Sequence, residues 1–303
     1  MSTCPVCSSE KTEEVASFRH EAAIFSKCSR MLCADCGMSF ASPMPSETAL
    51  SEYNAAYFEN AHGGTPTSQS IVAVFSALGR LRLAFLQQFL TRYRIHIDSV
   101  LELGPGPGYF ARSFLESEPR CAYFAIETDK SCHNQLRNSG VRLIDNLEAV
   151  QTDLVVMCHV LEHVPDPVNF IRRATEGLRS GGALFIEVPC RDWEHKKLDE
   201  PHILFFDKQP MRTLLHRLGF KDVEVSYHGL PISQLNSTSW IERKWMSVRT
   251  RLINIGLVMP FARVHSGMEL LSNPLERALV SPYLAHRESI EPAWWLRAVA
   301  RKA

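Results

Sequence analysis

No apolar stretch in this chain approaches the roughly 20 residues that a membrane-spanning helix needs. Charge of one sign is lacking too: 33 Lys and Arg stand against 33 Asp and Glu, a net charge of zero. That balance removes the bulk attraction on which non-specific nucleic-acid binding depends, so no nucleic-acid partner is expected. The opening residues Met-Ser-Thr-Cys-Pro-Val-Cys carry neither a basic n-region nor an apolar h-region, which predicts a cytoplasmic protein. Internal repeats and low-complexity tracts are absent. Without an export signal, nine cysteines, an odd number, are expected as reduced thiols or metal ligands and not as a disulfide framework. The length allows one large domain with appendages, or two domains.

Two further absences bear on the glycine-rich stretch Val100–Phe110, Val-Leu-Glu-Leu-Gly-Pro-Gly-Pro-Gly-Tyr-Phe. A Walker A lysine followed by Ser or Thr is missing, and the third glycine of a dinucleotide fingerprint is replaced by Tyr109. Pro105 and Pro107 remove two backbone donors that a phosphate cradle would keep. What remains is strand, glycine turn, helix, with Gly104, Gly106 and Gly108 allowing close approach of a ligand to the backbone. Such a loop suits a ligand with a ribose and a small charged tail better than a pyrophosphate. Glu127 ends the next apolar run about twenty residues on, where an acid can accept from both ribose hydroxyls.

Cys4-Pro5-Val6-Cys7 and Cys33-Ala34-Asp35-Cys36-Gly37 are two C-x-x-C pairs. Each forms a tight turn presenting two thiolates, and four sulfurs match a closed, structural zinc site. Redox C-x-x-C chemistry or unliganded thiols are the alternatives, and no second feature supports the former. Glu13–Phe18 is readable as a strand, and Cys28 is taken as ordinary.

From Asp98 strands and helices alternate, which implies a parallel sheet with crossover helices. Strands are expected at Cys121–Ile126, Val141–Ile144, Asp153–Met157, Ala183–Pro189 and Val223–Tyr227. Helices are expected at Ile71–Tyr93, by its three-and-four spacing, at Ser131–Asn138, at Met211–Leu218, and at Val168–Leu178 stopped by Ser180-Gly181-Gly182. Ser46-Glu47 caps a short helix carrying Tyr53 and Tyr57. Around His159, Glu162 and His163 neither H-E-x-x-H nor H-x-x-E-H is present, so no metal is expected there.

Leu-Glu-Leu-Gly-Pro-Gly-Pro-Gly resembles motif I of the class I S-adenosylmethionine-dependent methyltransferases. Asp153–Val164 resembles that family's stretch ending in Val-Leu-Glu-His-Val, and Pro201–Phe206 its His-x-x-x-Phe-Phe element. The N-terminal order of C-x-x-C-G, Pro-x-Pro and tyrosines is similar to a subfamily with a small zinc module, sugar C-methyltransferases among its members. The resemblance covers roughly Cys4 to Tyr227. It implies an α/β fold with a doubly wound, mostly parallel sheet: a zinc module over residues 1–42, linker and cap helices over 43–95, and the catalytic domain over 96–228. It also implies S-adenosylmethionine held by Glu102, Gly104, Gly106, Gly108, Glu127, Asp145 and His159, with Tyr53 and Tyr57 as a lid or as packing between module and core. His202 and His159 are the proton acceptors it offers, with His195 nearby and Phe205 and Phe206 excluding water.

The implied reaction is methyl transfer to a small-molecule or sugar-like acceptor, such as a sugar nucleotide or lipid-linked glycan. A zinc-dependent interaction protein that binds the cofactor without turnover is the alternative. Residues 229–303 are expected as a helical extension, with helices at Trp240–Leu257, Gly267–Leu284 and Ala293–Ala303. Its basic excess and the run Leu252–Phe261 leave membrane-surface contact open beside a solvated basic face. An antiparallel seventh strand is expected near Gly229–Ser239, where the sequence reads instead as polar loop.

Overall fold

The structure, a computed structural model, describes residues 2–54, 69–147, 150–235 and 288–303, together with Trp240, Lys244, Ser247, Val248 and Arg251. The cysteine pairs border a small antiparallel sheet of β1 (Thr12–Ser17), β2 (Ser29–Cys33) and β3 (Ser39–Ser42). Helix α1 (Glu47–Asn54) follows, its start fixed by the Ser46 hydroxyl accepting from Ala49 N–H at 3.2 Å, as expected of a serine cap. The long amphipathic pattern becomes α2 (Gln69–Tyr93).

β4 (Ser99–Leu103) is buried along its whole length, as a strand covered on both faces must be. Then come α3 (Tyr109–Ser117), β5 (Ala122–Ile126), α4 (His133–Asn138), β6 (Arg142–Leu143), β7 (Thr152–Cys158), α5 (Pro167–Ala174) and β8 (Leu178–Pro189). β6, β5, β4, β7 and β8 run parallel in that spatial order. Their carboxyl ends therefore share one edge, where ligands of such sheets bind.

Past β8 the chain makes β9 (Leu204–Phe205), α6 (Lys208–Arg217), β10 (Lys221–Pro231), β11 (Glu288–Ser289) and β12 (Ala293–Arg301). β12 lies antiparallel between β8 and β10. The seventh strand is thus present, but at residues 293–301, where a third helix was expected. Residues 229–231 complete β10 instead. Burial explains the error: seven of the nine residues of β12 are buried, so the run Ala-Trp-Trp-Leu-Arg-Ala-Val-Ala shows no period of two. The other correction is at Ser180-Gly181-Gly182, which is no helix stop: α5 ends at Ala174 and the glycines lie inside β8. A Cβ on Gly182 would come within 2.8 Å of the Asp153 carbonyl oxygen, so close strand approach demands glycine here.

β9 joins neither β8 nor β10. It pairs with β3, closing the N-terminal sheet in the order β1-β2-β3-β9. Asp199 and Glu200 strengthen the junction by accepting from Arg19 N–H at 2.9 Å and Ala22 N–H at 3.0 Å. Phe205 and Phe206 are 1 % and 0 % exposed, inside one hydrophobic core that runs from Cys4 to Ala300. The N-terminal unit and the main domain share that core. Tyr57, the run Leu252–Phe261, the Gly267–Leu284 helix and most of the Trp240–Leu257 helix lie outside the described residues.

Candidate active site

Gly104, Gly106 and Gly108 all take the left-handed backbone, with φ of +62, +53 and +75°. A Cβ on Gly104 would lie 2.7 Å from Val160 Cγ2, and one on Gly108 2.6 Å from Leu136 Cδ2. Sterics and dihedrals thus agree that this turn over the end of β4 needs glycine. Glu127 reaches the same loop from the end of β5. Its Oε2 accepts from Gly106 N–H at 2.7 Å and its Oε1 from Asp129 N–H at 2.8 Å. Burial pushes this carboxyl up, against those backbone donors. Asp145 follows β6 and is exposed at the same edge.

Glu102 departs from the picture of a ligand-facing acid. It is 2 % exposed, accepts from the Tyr123 hydroxyl at 2.7 Å, and is raised to about 7, chiefly by burial. It lies under the loop and not on its surface. Tyr53 packs edge-on against Phe25, centroids 5.3 Å apart, with its hydroxyl pKa raised by burial. Tyr53 also packs against the hydrophobic core that the N-terminal unit and main domain share.

His159 follows β7 with φ +58°, a conformation rare for a residue with a side chain. Its N–H donates to the Glu187 carbonyl at 2.8 Å. The ring stands 3.3 Å from Glu187 Oε1 through Nε2 and 3.4 Å from Glu162 Oε1 through Nδ1, with the side chain 35 % exposed. Burial would lower its pKa, but Glu162 and Glu187 carry it upward. Glu187 is wholly buried between Arg82 Nε at 2.8 Å and Arg297 Nε at 2.7 Å. Burial acts to raise the Glu187 carboxyl, and the two guanidiniums overcome it and drive it well below its usual range. Nothing local in the sequence marks this triad. Its members come from α2, β8 and β12, and only the register of β12, Arg297 opposite Glu187, brings them together.

His202 is 4 % exposed and its Nδ1 contacts Asp192 Oδ2. Ile203 N–H donates to the Glu162 carbonyl at 2.9 Å, so the segment after β8 is pinned to the 3₁₀ turn Leu161–His163. His163 Nδ1 lies 3.3 Å from the Pro201 carbonyl oxygen.

In the N-terminal unit, Cys4 Sγ lies 3.6 Å from Cys36 Sγ and Cys7 Sγ 3.5 Å from Cys33 Sγ, all four sulfurs falling within 4.8 Å of one another. A tetrahedral ion with bonds of about 2.3 Å sets its sulfurs about 3.8 Å apart, so the residues fit zinc. The two turns match. Ser8 N–H bonds to the Cys4 carbonyl at 3.0 Å and Gly37 N–H to the Cys33 carbonyl at 2.9 Å, with φ of +62 and +75°. Cys28 stands apart, its thiol 3.2 Å from the Pro43 carbonyl.

Five parallel strands with the antiparallel β12 beside β8, a glycine turn after β4 and an acid after β5 are consistent with the Rossmann-like fold of methyltransferases. A family model described as a methyltransferase domain matches residues 68–225, and the chain belongs to that family. It is similar to trans-aconitate 2-methyltransferase of Rhodopseudomonas palustris (strain BisB5), 31 % identical over 132 residues, 39 % of this chain and 48 % of that protein. It is also similar to the ubiquinone biosynthesis O-methyltransferase of Xanthomonas euvesicatoria pv. vesicatoria (strain 85-10), 31 % identical over 121 residues, 36 % and 49 % of the two chains. The chain spans about half the length of these curated relatives. Among solved structures, a methyltransferase of Thermotoga maritima named as a possible histamine N-methyltransferase aligns at 15 % identity over 84 % of this chain and 99 % of its own, with a TM-score of 0.48.

Proposed function

We propose that this chain transfers a methyl group from S-adenosylmethionine to a small-molecule acceptor, sugar-like by the resemblance of its N-terminal section, and that Cys4, Cys7, Cys33 and Cys36 hold a structural zinc. The observation that carries the reading is the contact of Gly106 N–H with Glu127, which unites the glycine turn and the acid of β5 into one ligand edge. When bound, the cofactor supplies an electrophilic methyl. The protein's part is to hold, orient and desolvate the reactants. Gly104, Gly106 and Gly108 give backbone access, Glu127 takes the ribose hydroxyls, Asp145 serves the adenine, and Glu102 supports the loop from beneath.

On the acceptor side His159 is our choice of proton acceptor, because its ring is partly exposed and its basicity is raised by two carboxylates. His202, buried and engaged by Asp192, is the second candidate. A base is needed only for a hydroxyl or carbon acid. Calorimetry tests the cofactor edge. Gly106→Arg should abolish S-adenosylmethionine binding, and Glu127→Ala should weaken it by about 1.5–3 kcal/mol, the loss of hydrogen bonds to a charged acceptor. Unchanged affinity in both variants rejects the site.

A further inference from the structure

Among the described residues, the buried carboxyl of Glu162 stands out. It is 1 % exposed, and among the described residues neither of its carboxylate oxygens has a hydrogen-bond partner. Three imidazoles surround this carboxyl, those of His159, His163 and His202. The nearest nitrogen, His159 Nδ1, stands 3.4 Å from Oε1. Leaving such a group unsatisfied is costly, and in native proteins it points to a water or an ion.

What surrounds Glu162 favours an ion. His163 Nε2 and His202 Nε2 each stand 4.0 Å from Glu162 Oε1, and ligand atoms of the three side chains fall within 4.8 Å of one another. The two rings meet edge to face with centroids 4.9 Å apart. Each imidazole is held through its other nitrogen: His163 Nδ1 by the Pro201 carbonyl at 3.3 Å, His202 Nδ1 by Asp192. Lys196 Nζ lies 3.1 Å from the same Asp192 oxygen. A carbonyl or carboxylate behind a ring, fixing its tautomer so that Nε2 offers a lone pair, is the outer shell of metal-binding histidines. We infer that Glu162, His163 and His202 form a second metal site, for a divalent first-row ion such as zinc or iron(II), separate from the four-cysteine site.

Two imidazoles and one carboxylate are the donor set of open sites for these ions. Ligand atoms on one such ion are roughly 3–3.5 Å apart, so binding draws the side chains inward by under about 1 Å. His159, the neighbour of Glu162, is partly exposed. The absence of H-E-x-x-H spacing hid the site, because its third member arrives from residue 202 through the pinned strand β9. The inference does not depend on methyl transfer.

Cobalt(II) titration of the full chain tests it, because the two sites differ in spectrum. A four-thiolate site gives intense sulfur-to-cobalt charge transfer, and a nitrogen and oxygen site only weak visible bands. The expected result is about two cobalt ions per chain, carrying both signatures. Glu162→Gln and His202→Asn should each remove one ion and the weak bands while keeping the charge transfer. If wild-type chain takes up one cobalt, on sulfur only, a water occupies Glu162 and the inference fails. It fails equally if folded Glu162→Gln still takes two. Loss of the charge transfer alone would strike at the cysteine site and leave this one standing.

Discussion

Glu102 is a carboxyl held at about 7 against an ordinary 4.5, with burial as the main cause and the Tyr123 hydroxyl opposing it. A carboxyl that binds its proton more tightly when folded lends its full stability below pH 4.5. That stability is lost as pH rises through about 7, a change of about 3 kcal/mol for a fully buried group. Glu102→Gln should therefore flatten the stability profile between pH 4.5 and 7 and leave the ligand-free protein more stable than wild type at pH 8. Urea unfolding across that range measures it, and an unaltered slope would show that Glu102 is already ionised. Glu187 behaves oppositely. Flanked by Arg82 and Arg297 in the interior, it is a carboxylate that two buried cations require. Glu187→Met should destabilise by about 3–5 kcal/mol, read as a lowered denaturation midpoint. A third test at this scale concerns Gly37, whose φ is +75° and where a Cβ would have nothing within 4 Å. Gly37→Ala meets no steric clash, so its expected cost of about 1–2 kcal/mol is backbone strain alone.

Among the elements, β9 has only two residues, yet it makes the N-terminal sheet four-stranded and carries Phe205 into the core beside Phe18 and Trp193, at centroid distances of 6.3 and 5.7 Å. Phe205→Ala should cost about 3–5 kcal/mol and increase hydrogen exchange in β3 as well as around residue 204. Exchange raised in only one of the two would mean that they open independently. Elements with a visible period or punctuation were legible in the sequence: β4 and its glycine turn, α2, Ser46 ahead of α1, and the two cysteine turns. β12 was not, since burial on both faces erases alternation, and no local signal reports that a strand will return from beyond residue 231 to lie beside β8. The grouping of the glycine turn with Glu127 was legible for the same reason as β4, its residues being set by spacing along consecutive strands. The Arg82–Glu187–Arg297 triad and the grouping of Glu162 with His202 were not, because each is assembled by pairing between distant segments.

At the scale of the whole molecule, the shared core predicts that the N-terminal unit does not melt alone. Chelation strong enough to strip the four cysteines should loosen β3 and, through it, β9 and the Asp192–Phe206 segment. Acceptor-side reactivity should then fall before cofactor affinity does. Calorimetry and turnover on the chelated protein check this, and full turnover after complete metal loss would separate the two units functionally. The position of β12 also bears on how the protein is made. A ribosome delivers the chain from its N-terminus, so β8 and β10 emerge with the slot between them unfilled, and Glu187 waits for Arg297 until residue 297 has been synthesised. Over that interval a nascent chain offers a bare strand edge and an interior acid with Arg82 as its one guanidinium partner. Messages truncated upstream of residue 293 should accordingly give products that chaperones retain or proteases clear, whatever the integrity of the cofactor edge encoded before them.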